Sequence, residues 1–194
     1  MNLLGINYWW IGIVGIIAII VIVLICMFIS YYNKFVKGRN SVEESFSSMD
    51  VYLKKRYDLI PNLVETVKGY AKHEKETLTA VIEARNIAAG SNTIDDKIKN
   101  ESALNGALKN LFVVVEKYPE LQANQNFLSL QNDLRAIEED IANARKFYNA
   151  KVKSYNNSIQ VFPGVLFAKM YHFTKFEFYV VDDEKERKNI KVQF

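Results

Sequence analysis

The chain has 194 residues, with 25 Lys and Arg against 22 Asp and Glu, a net charge of +3 and a single cysteine. That near-balance offers no clustered positive face for nucleic acid, and one cysteine can build neither an intramolecular disulfide nor a cysteine-based zinc site. Eight glycines and three prolines (Pro61, Pro119, Pro163) indicate a mostly helical chain with the prolines as punctuation.

Residues 1–7 form a short tail without an ionisable side chain, and Tyr8 to Ile29 follows as 22 uncharged residues, YWWIGIVGIIAIIVIVLICMFI. A helix of that length measures about 33 Å, against about 30 Å for the hydrocarbon core of a bilayer. A buried core helix or a strand fits the run less well, because it is too long and uninterrupted. The anchor is placed at residues 8–32, bracketed by Trp9 and Trp10 and by Tyr31 and Tyr32, rings that favour the headgroup level. A cleaved signal would carry a basic leader, a shorter apolar core and small residues at the cut. Here no Lys or Arg precedes the run, and it ends in Cys26-Met27-Phe28-Ile29, so a retained single-pass anchor is expected. Lys34, Lys37 and Arg39 follow it closely. By the positive-inside rule the N-terminus lies outside the cell membrane and the remainder in the cytoplasm. Lys34 and Lys37 join the four aromatics as membrane-interface residues.

From Ser41 to about Ala89 the apolar residues fall at helical spacing. Phe46, Leu53, Ile60 and Val67 form one row, and Tyr57, Val64, Ala71 and Leu78 a second. Pro61 interrupts them, removing one donor and clashing with the carbonyl of Tyr57. Asp58 is a good N-cap that would put Pro61 in a first turn, which favours a break near Tyr57–Leu59; the alternative is a kink in one long helix. Gly90 to Thr93 reads as a loop, and Glu101 to Tyr118 as a helix ended by Pro119. The cleanest pattern steps by 3 or 4 from Phe127 through Leu134, Ile141 and Tyr148 to Ile159, stopping before Pro163-Gly164. The fold class is therefore all-α: one N-terminal transmembrane helix, then an antiparallel up-and-down bundle over residues 33–160. Its four helices are expected at 33–57, 59–89, 100–118 and 122–159, with three helices and a kink at Pro61 as the alternative.

Residues 161–194 form an aromatic, then charged, C-terminal tail. Phe176 to Val181 has strand-type residues but nothing to pair with. In an up-and-down bundle the segment after Ile159 returns toward the bilayer. Its aromatics and interleaved Lys169 and Lys175 therefore fit either a cap on the bundle core or a contact with the headgroup boundary.

No catalytic set, metal site or cofactor site is expected. His73-Glu74 opens a zinc-helix motif, but Thr77 stands where its second histidine belongs. Gly12 and Gly15 are three apart, not the four of the helix-packing motif. Acidic pairs such as Glu138-Glu139 read as solvated surface. One polar seam stands out: Gln131, Glu138 and Arg145, seven apart along the flank of the apolar stripe. Partly covered charges there need partners, for which Arg56, Asp50 and Arg85 are candidates.

The stretch YYNKFVKGRNSVEESFSSMDVYLKKRYDLIPNLVETVKGYAKHEKETL, with ARN at Ala84 to Asn86, then EKYPELQANQNFLSLQNDLRAIEEDIANARKFYN, VKSYNNSI and FPGVLFA, resembles the LemA family over most of Tyr31 to Ala168. The resemblance implies a membrane-anchored helical bundle and supplies no catalytic residues. The tail after Tyr171 departs from the family pattern. The expected function is a non-enzymatic scaffold or adaptor presenting a cytoplasmic bundle for protein or membrane-surface interaction. The alternative is a ligand-sensing or regulatory domain for a membrane protease or transporter. The membrane, an unassigned protein and a second copy of the chain are the partners considered.

Overall fold

The structure, a computed structural model, describes residues 9–180. Residues 1–7, Tyr8 at the start of the apolar run, the Asp182–Lys188 charge run and the closing IKVQF lie outside the described residues. Six helices follow in order: α1 (Trp9–Tyr70), α2 (Lys75–Ala89), α3 (Ile94–Val115), α4 (Pro119–Gln122), α5 (Gln125–Gln160) and α6 (Gly164–Met170). The chain divides into two compact units, which among the described residues comprise 9–42 with 151–176, and 43–150 with 177–180.

The second unit is an up-and-down bundle of four helices: the C-terminal part of α1, then α2, α3 and α5. Tyr57 and Asp58 of α1 meet Arg85 of α2, so that pair runs antiparallel. Asp50, Tyr57 and Arg56 meet Lys97, Glu101 and Asn105, so α1 and α3 run the same way. Phe46, Arg56 and Tyr70 meet Tyr148, Glu138 and Asn124, so α5 runs back. Both apolar rows are buried: Phe46, Leu53, Ile60 and Val67, and Tyr57, Val64, Ala71 and Leu78.

The break expected near Tyr57–Leu59 is absent. Helix α1 runs through Pro61 for 62 residues, and the chain turns instead at residues 71–74. Four helices remain, but the first boundary lies about four turns later than Asp58 implied. The physical reason is visible at Tyr57. Pro61 has no N–H, so the Tyr57 carbonyl loses its helical donor. Arg85 Nε, reaching across from α2, donates to that carbonyl at 2.9 Å. With the orphan acceptor satisfied, the buried row through Leu53, Tyr57, Ile60 and Val64 keeps the segment helical.

Three further boundaries move, one of them the end of α3, at Val115 rather than 118. Helix α3 begins at Ile94 rather than 100, because Thr93 is its N-cap: the Thr93 hydroxyl accepts from the Asp96 N–H at 3.1 Å, with Asp95 and Asp96 in the first turn. The expected 122–159 helix is α5, starting at Gln125. Asn124 caps it by accepting from Phe127 N–H at 3.0 Å, and Pro119–Gln122 is a separate turn of helix with Pro119 at its start.

The first unit contains the apolar start of α1, the end of α5, α6 and the residues after it. Among the described residues α1 alone is long and apolar enough to cross a membrane, and none of that stretch is buried. Gly164 is packed so closely that a Cβ there would lie 2.5 Å from the Ser158 carbonyl oxygen and against the rings of Phe35 and Tyr31. His172, at φ 57°, lets the chain leave α6 in a left-handed turn.

Residues 173–180 are extended but form no sheet among the described residues. Side-chain amides of α5 take the place of a partner strand. In the first unit Asn156 Nδ2 donates to the Phe176 carbonyl at 2.9 Å and its Oδ1 accepts from the Phe176 N–H at 3.0 Å. Tyr155 adds a hydroxyl bond to the Thr174 carbonyl. In the second unit Asn149 does the same for Tyr179, and Tyr148 for the Glu177 carbonyl. The Tyr-Asn pair recurs after seven residues of helix, about 10.5 Å, and its target after three extended residues, about 10 Å.

The Arg85 bond should be coupled to the proline. Arg85→Ala is expected to lower stability by about 1–2 kcal/mol in the natural chain. In a Pro61→Ala background, where the Tyr57 carbonyl regains a helical donor, the loss should fall by at least half. Denaturant unfolding of the four proteins of this cycle measures it; equal losses in both backgrounds would show that Arg85 does not serve the orphan carbonyl.

Candidate functional site

The polar centre of the bundle is Arg56. It falls in phase with the apolar row of α1, three after Leu53 and four before Ile60, and is only 1% exposed. A guanidinium cannot discharge itself by losing a proton, so it is paired from two other helices. Nη2 forms an ion pair with Glu101 of α3, which is fully buried. Nη1 donates to Asn105 Oδ1 at 2.9 Å and to Glu138 Oε1 of α5 at 2.7 Å. The Tyr57 hydroxyl donates to the other Glu101 oxygen. Burial is the main reason that the Tyr57 phenol is pushed up to about 12, so it remains a donor at neutral pH. Asp50, at the edge of the same α1–α3 contact, binds Lys97 at 2.5 Å and Lys54 at 3.2 Å. Its burial would raise its pKa, but the two ammonium groups outweigh that and hold the carboxyl below the usual range.

Beside this network lies a cleft of about 660 Å³, lined by Arg56, Asn105, Phe112, Glu138, Arg145 and Tyr179 among others. Two members of the expected seam, Glu138 and Arg145, therefore face one cavity. Gln131 is half-buried on α5 and is not part of that lining. Of the three candidate partners, Arg56 meets Glu138, whereas Asp50 is engaged by lysines and Arg85 by Tyr57 and Asp58. Glu101 and Tyr57 are not among the polar-site residues expected from the sequence. The signal was available for Glu101: Lys97, Glu101, Leu104, Leu108 and Leu111 step by 4, 3, 4 and 3, so both charges lie in phase with the buried leucines.

The cleft wall sets the Arg145 guanidinium and the Glu138 carboxylate beside the rings of Phe112 and Tyr179, while the Arg56 guanidinium in its floor is taken up by its own partners.

The expected membrane-interface residues all lie in the first unit. Trp9 and Trp10 are exposed at the start of α1. Tyr31 stacks on Phe167 with ring centres 4.7 Å apart, and Tyr32 meets Tyr171 edge-on at 5.0 Å. Lys34 lies 5.9 Å over the Tyr31 ring. Lys37 is exposed. The aromatic tail divides: Phe167 is largely covered, while Phe162 and Phe178 are exposed.

Removing one side of the buried pair should be far costlier than removing the outer one. Glu101→Gln is expected to destabilise the bundle by about 3–5 kcal/mol, because Arg56 keeps its charge. Glu138→Gln, at a carboxylate 42% exposed, should cost about 1 kcal/mol or less. Urea unfolding of the two variants checks the ranking, and equal losses would contradict it.

Comparison with known proteins matches these features to one family. The LemA family model covers residues 45–194. The chain is 23% identical over 140 residues to Protein LemA of Metamycoplasma hominis, covering 70% of this chain and 63% of that protein. It is 24% identical over 174 residues to Magnetosome protein MamQ 2 of Paramagnetospirillum magneticum, and 23% identical to MamQ of Magnetospirillum gryphiswaldense. Those two matches each span 76% of this chain and 64% of the relative. The match thus spans just under two thirds of the length of these relatives. With the family model covering all but the first 44 residues, the chain belongs to the LemA family.

Proposed function

We propose that this protein is a non-enzymatic, membrane-anchored scaffold or adaptor whose helical bundle lies in the cytoplasm. One observation carries the reading: a single helix, α1, supplies both the apolar membrane-length run and the central core strip of the bundle, with no linker between them. A flexibly tethered enzyme domain would not need its core helix to be the anchor itself. The polar centre supports the same reading. Arg56, Glu101, Tyr57 and Asn105 bind one another, which sets register between helices rather than leaving reactive groups poised for a substrate. Lys34, Lys37 and Arg39 after the run support a cytoplasmic bundle.

A second reading, a ligand-sensing domain, is favoured by the cleft with Glu138 and Arg145 in its wall.

Protease added to intact cells should leave the bundle uncut and should digest it once the membrane is opened; digestion in sealed cells would place the bundle outside. Photocrosslinkers at Val113 and Leu128, both exposed, should give discrete protein adducts for a scaffold.

A sensor should instead hold a stoichiometric small molecule when the chain is purified from membranes and weighed intact. Arg145→Glu should release that molecule while leaving the adducts in place. A bare mass together with discrete adducts selects the scaffold.

A further inference from the structure

Helix α6 buries one face and leaves the other apolar face open. Gly164, Phe167 and Ala168 are covered. On the opposite side Leu166 is 58% exposed and Met170 47%, and just before the helix Phe162 is 80% exposed and Val161 56%. Leu166 and Met170 lie one turn apart along one side of α6, and Phe162 stands just before the helix. Lys169 is the only charged residue of the helix. A helix face of this kind facing water would leave several large side chains uncovered.

What covers it is indicated by its neighbours in the same unit. The buried side of α6 is fastened to the end of the apolar run: Phe28 meets Phe167 at 5.0 Å and Tyr171 at 6.5 Å, and Tyr31 stacks on Phe167. From Trp10 to Phe28 a helix climbs about 27 Å, close to the thickness of a hydrocarbon core. If Trp10 lies at one boundary, Phe28 and the helix packed on it lie at the other. The charge of this unit is equally one-sided. It holds seven basic residues, including Lys34, Lys37, Lys153, Lys169 and Lys175, and no Asp or Glu. All 22 acidic residues lie in the other unit, with the remaining 18 Lys and Arg.

We infer that the Leu166–Met170 face of α6, with Phe162 just before it, is a second membrane contact, seated in the headgroup boundary of an anionic bilayer, with the acid-free basic collar selecting anionic lipid. Apolar burial holds the face and the lysines supply the charge preference. The inference rests on the membrane-anchored reading above.

The test uses the full chain in liposomes, in a Cys26→Ser background, with a fluorophore at one introduced cysteine: Leu166→Cys, Lys153→Cys or Ile19→Cys. Quenching by acyl-brominated phosphatidylcholine is compared with and without phosphatidylglycerol. The Leu166 label should be quenched at least about two-fold more than the Lys153 label. That excess should grow with phosphatidylglycerol and shrink when Lys34, Lys37, Lys169 and Lys175 are all changed to Gln. If the Leu166 label is quenched no more than the Lys153 label, the inference falls. Aqueous iodide then tells whether the face is open to water or covered by protein, including a second copy. Equal quenching with and without phosphatidylglycerol overturns the selection of anionic lipid. If the Ile19 label is not quenched, the anchor itself fails; quenching at Ile19 without quenching at Leu166 removes only the second contact.

Discussion

A guanidinium buried in α1 sets the terms for the bundle. Arg56 sits in the apolar row, carries a guanidinium charge and has almost no water to turn to. Its partners come from α3, through Glu101 and Asn105, and from α5, through Glu138. A slide of either helix by one turn would leave a charge buried and unpaired, at a cost of several kcal/mol. Leucines alone would tolerate such slides far better, because apolar contact is not directional. The pair therefore works less as a source of stability than as a register mark, and Tyr57 extends it by binding the second Glu101 oxygen.

The same rule, that a buried polar atom must find a partner, accounts for two places where backbone pairing is incomplete. Pro61 strips the Tyr57 carbonyl of its donor, and Arg85 of α2 replaces it. The extended residues 173–180 lack a neighbouring strand among the described residues, and the amides of Asn149 and Asn156 replace it with one donor and one acceptor each. In both cases a side chain completes a ladder that the backbone leaves open. The Tyr-Asn pair repeats because seven helical residues and three extended ones cover nearly the same distance.

These devices concern structure, and they bear on function through what they leave over. The charges at the bundle centre bind each other, while Arg145 and Glu138 also line a cleft. In the other unit the aromatic residues from both ends of the chain pack together, Phe28 and Tyr31 with Phe167, and Tyr32 with Tyr171 and Phe173. The LemA family model, over residues 45–194, takes in the packed helices that follow the apolar stretch of membrane length. The family relation by itself names no reaction for this chain.

Sequence alone determined what depends on local pattern. The uncharged run ending at Ile29, the 3-and-4 spacing from Phe127 to Ile159, and the stop before Pro163 all report a helix's own periodicity. The α3 start was also legible in Thr93 followed by Asp95 and Asp96, although the leucine row drew attention to a later start. Tertiary structure decided the rest. Whether Pro61 breaks α1 depended on a donor 28 residues away, and whether Glu101 could be buried depended on Arg56 and on Tyr57, 44 residues before it. Glu138 of the seam found its cation 82 residues away, and the tail found its pairing partners on α5. Periodicity is a property of neighbours along the chain. Satisfying an orphan carbonyl or a buried charge is a property of neighbours in space, and only the folded chain brings them together.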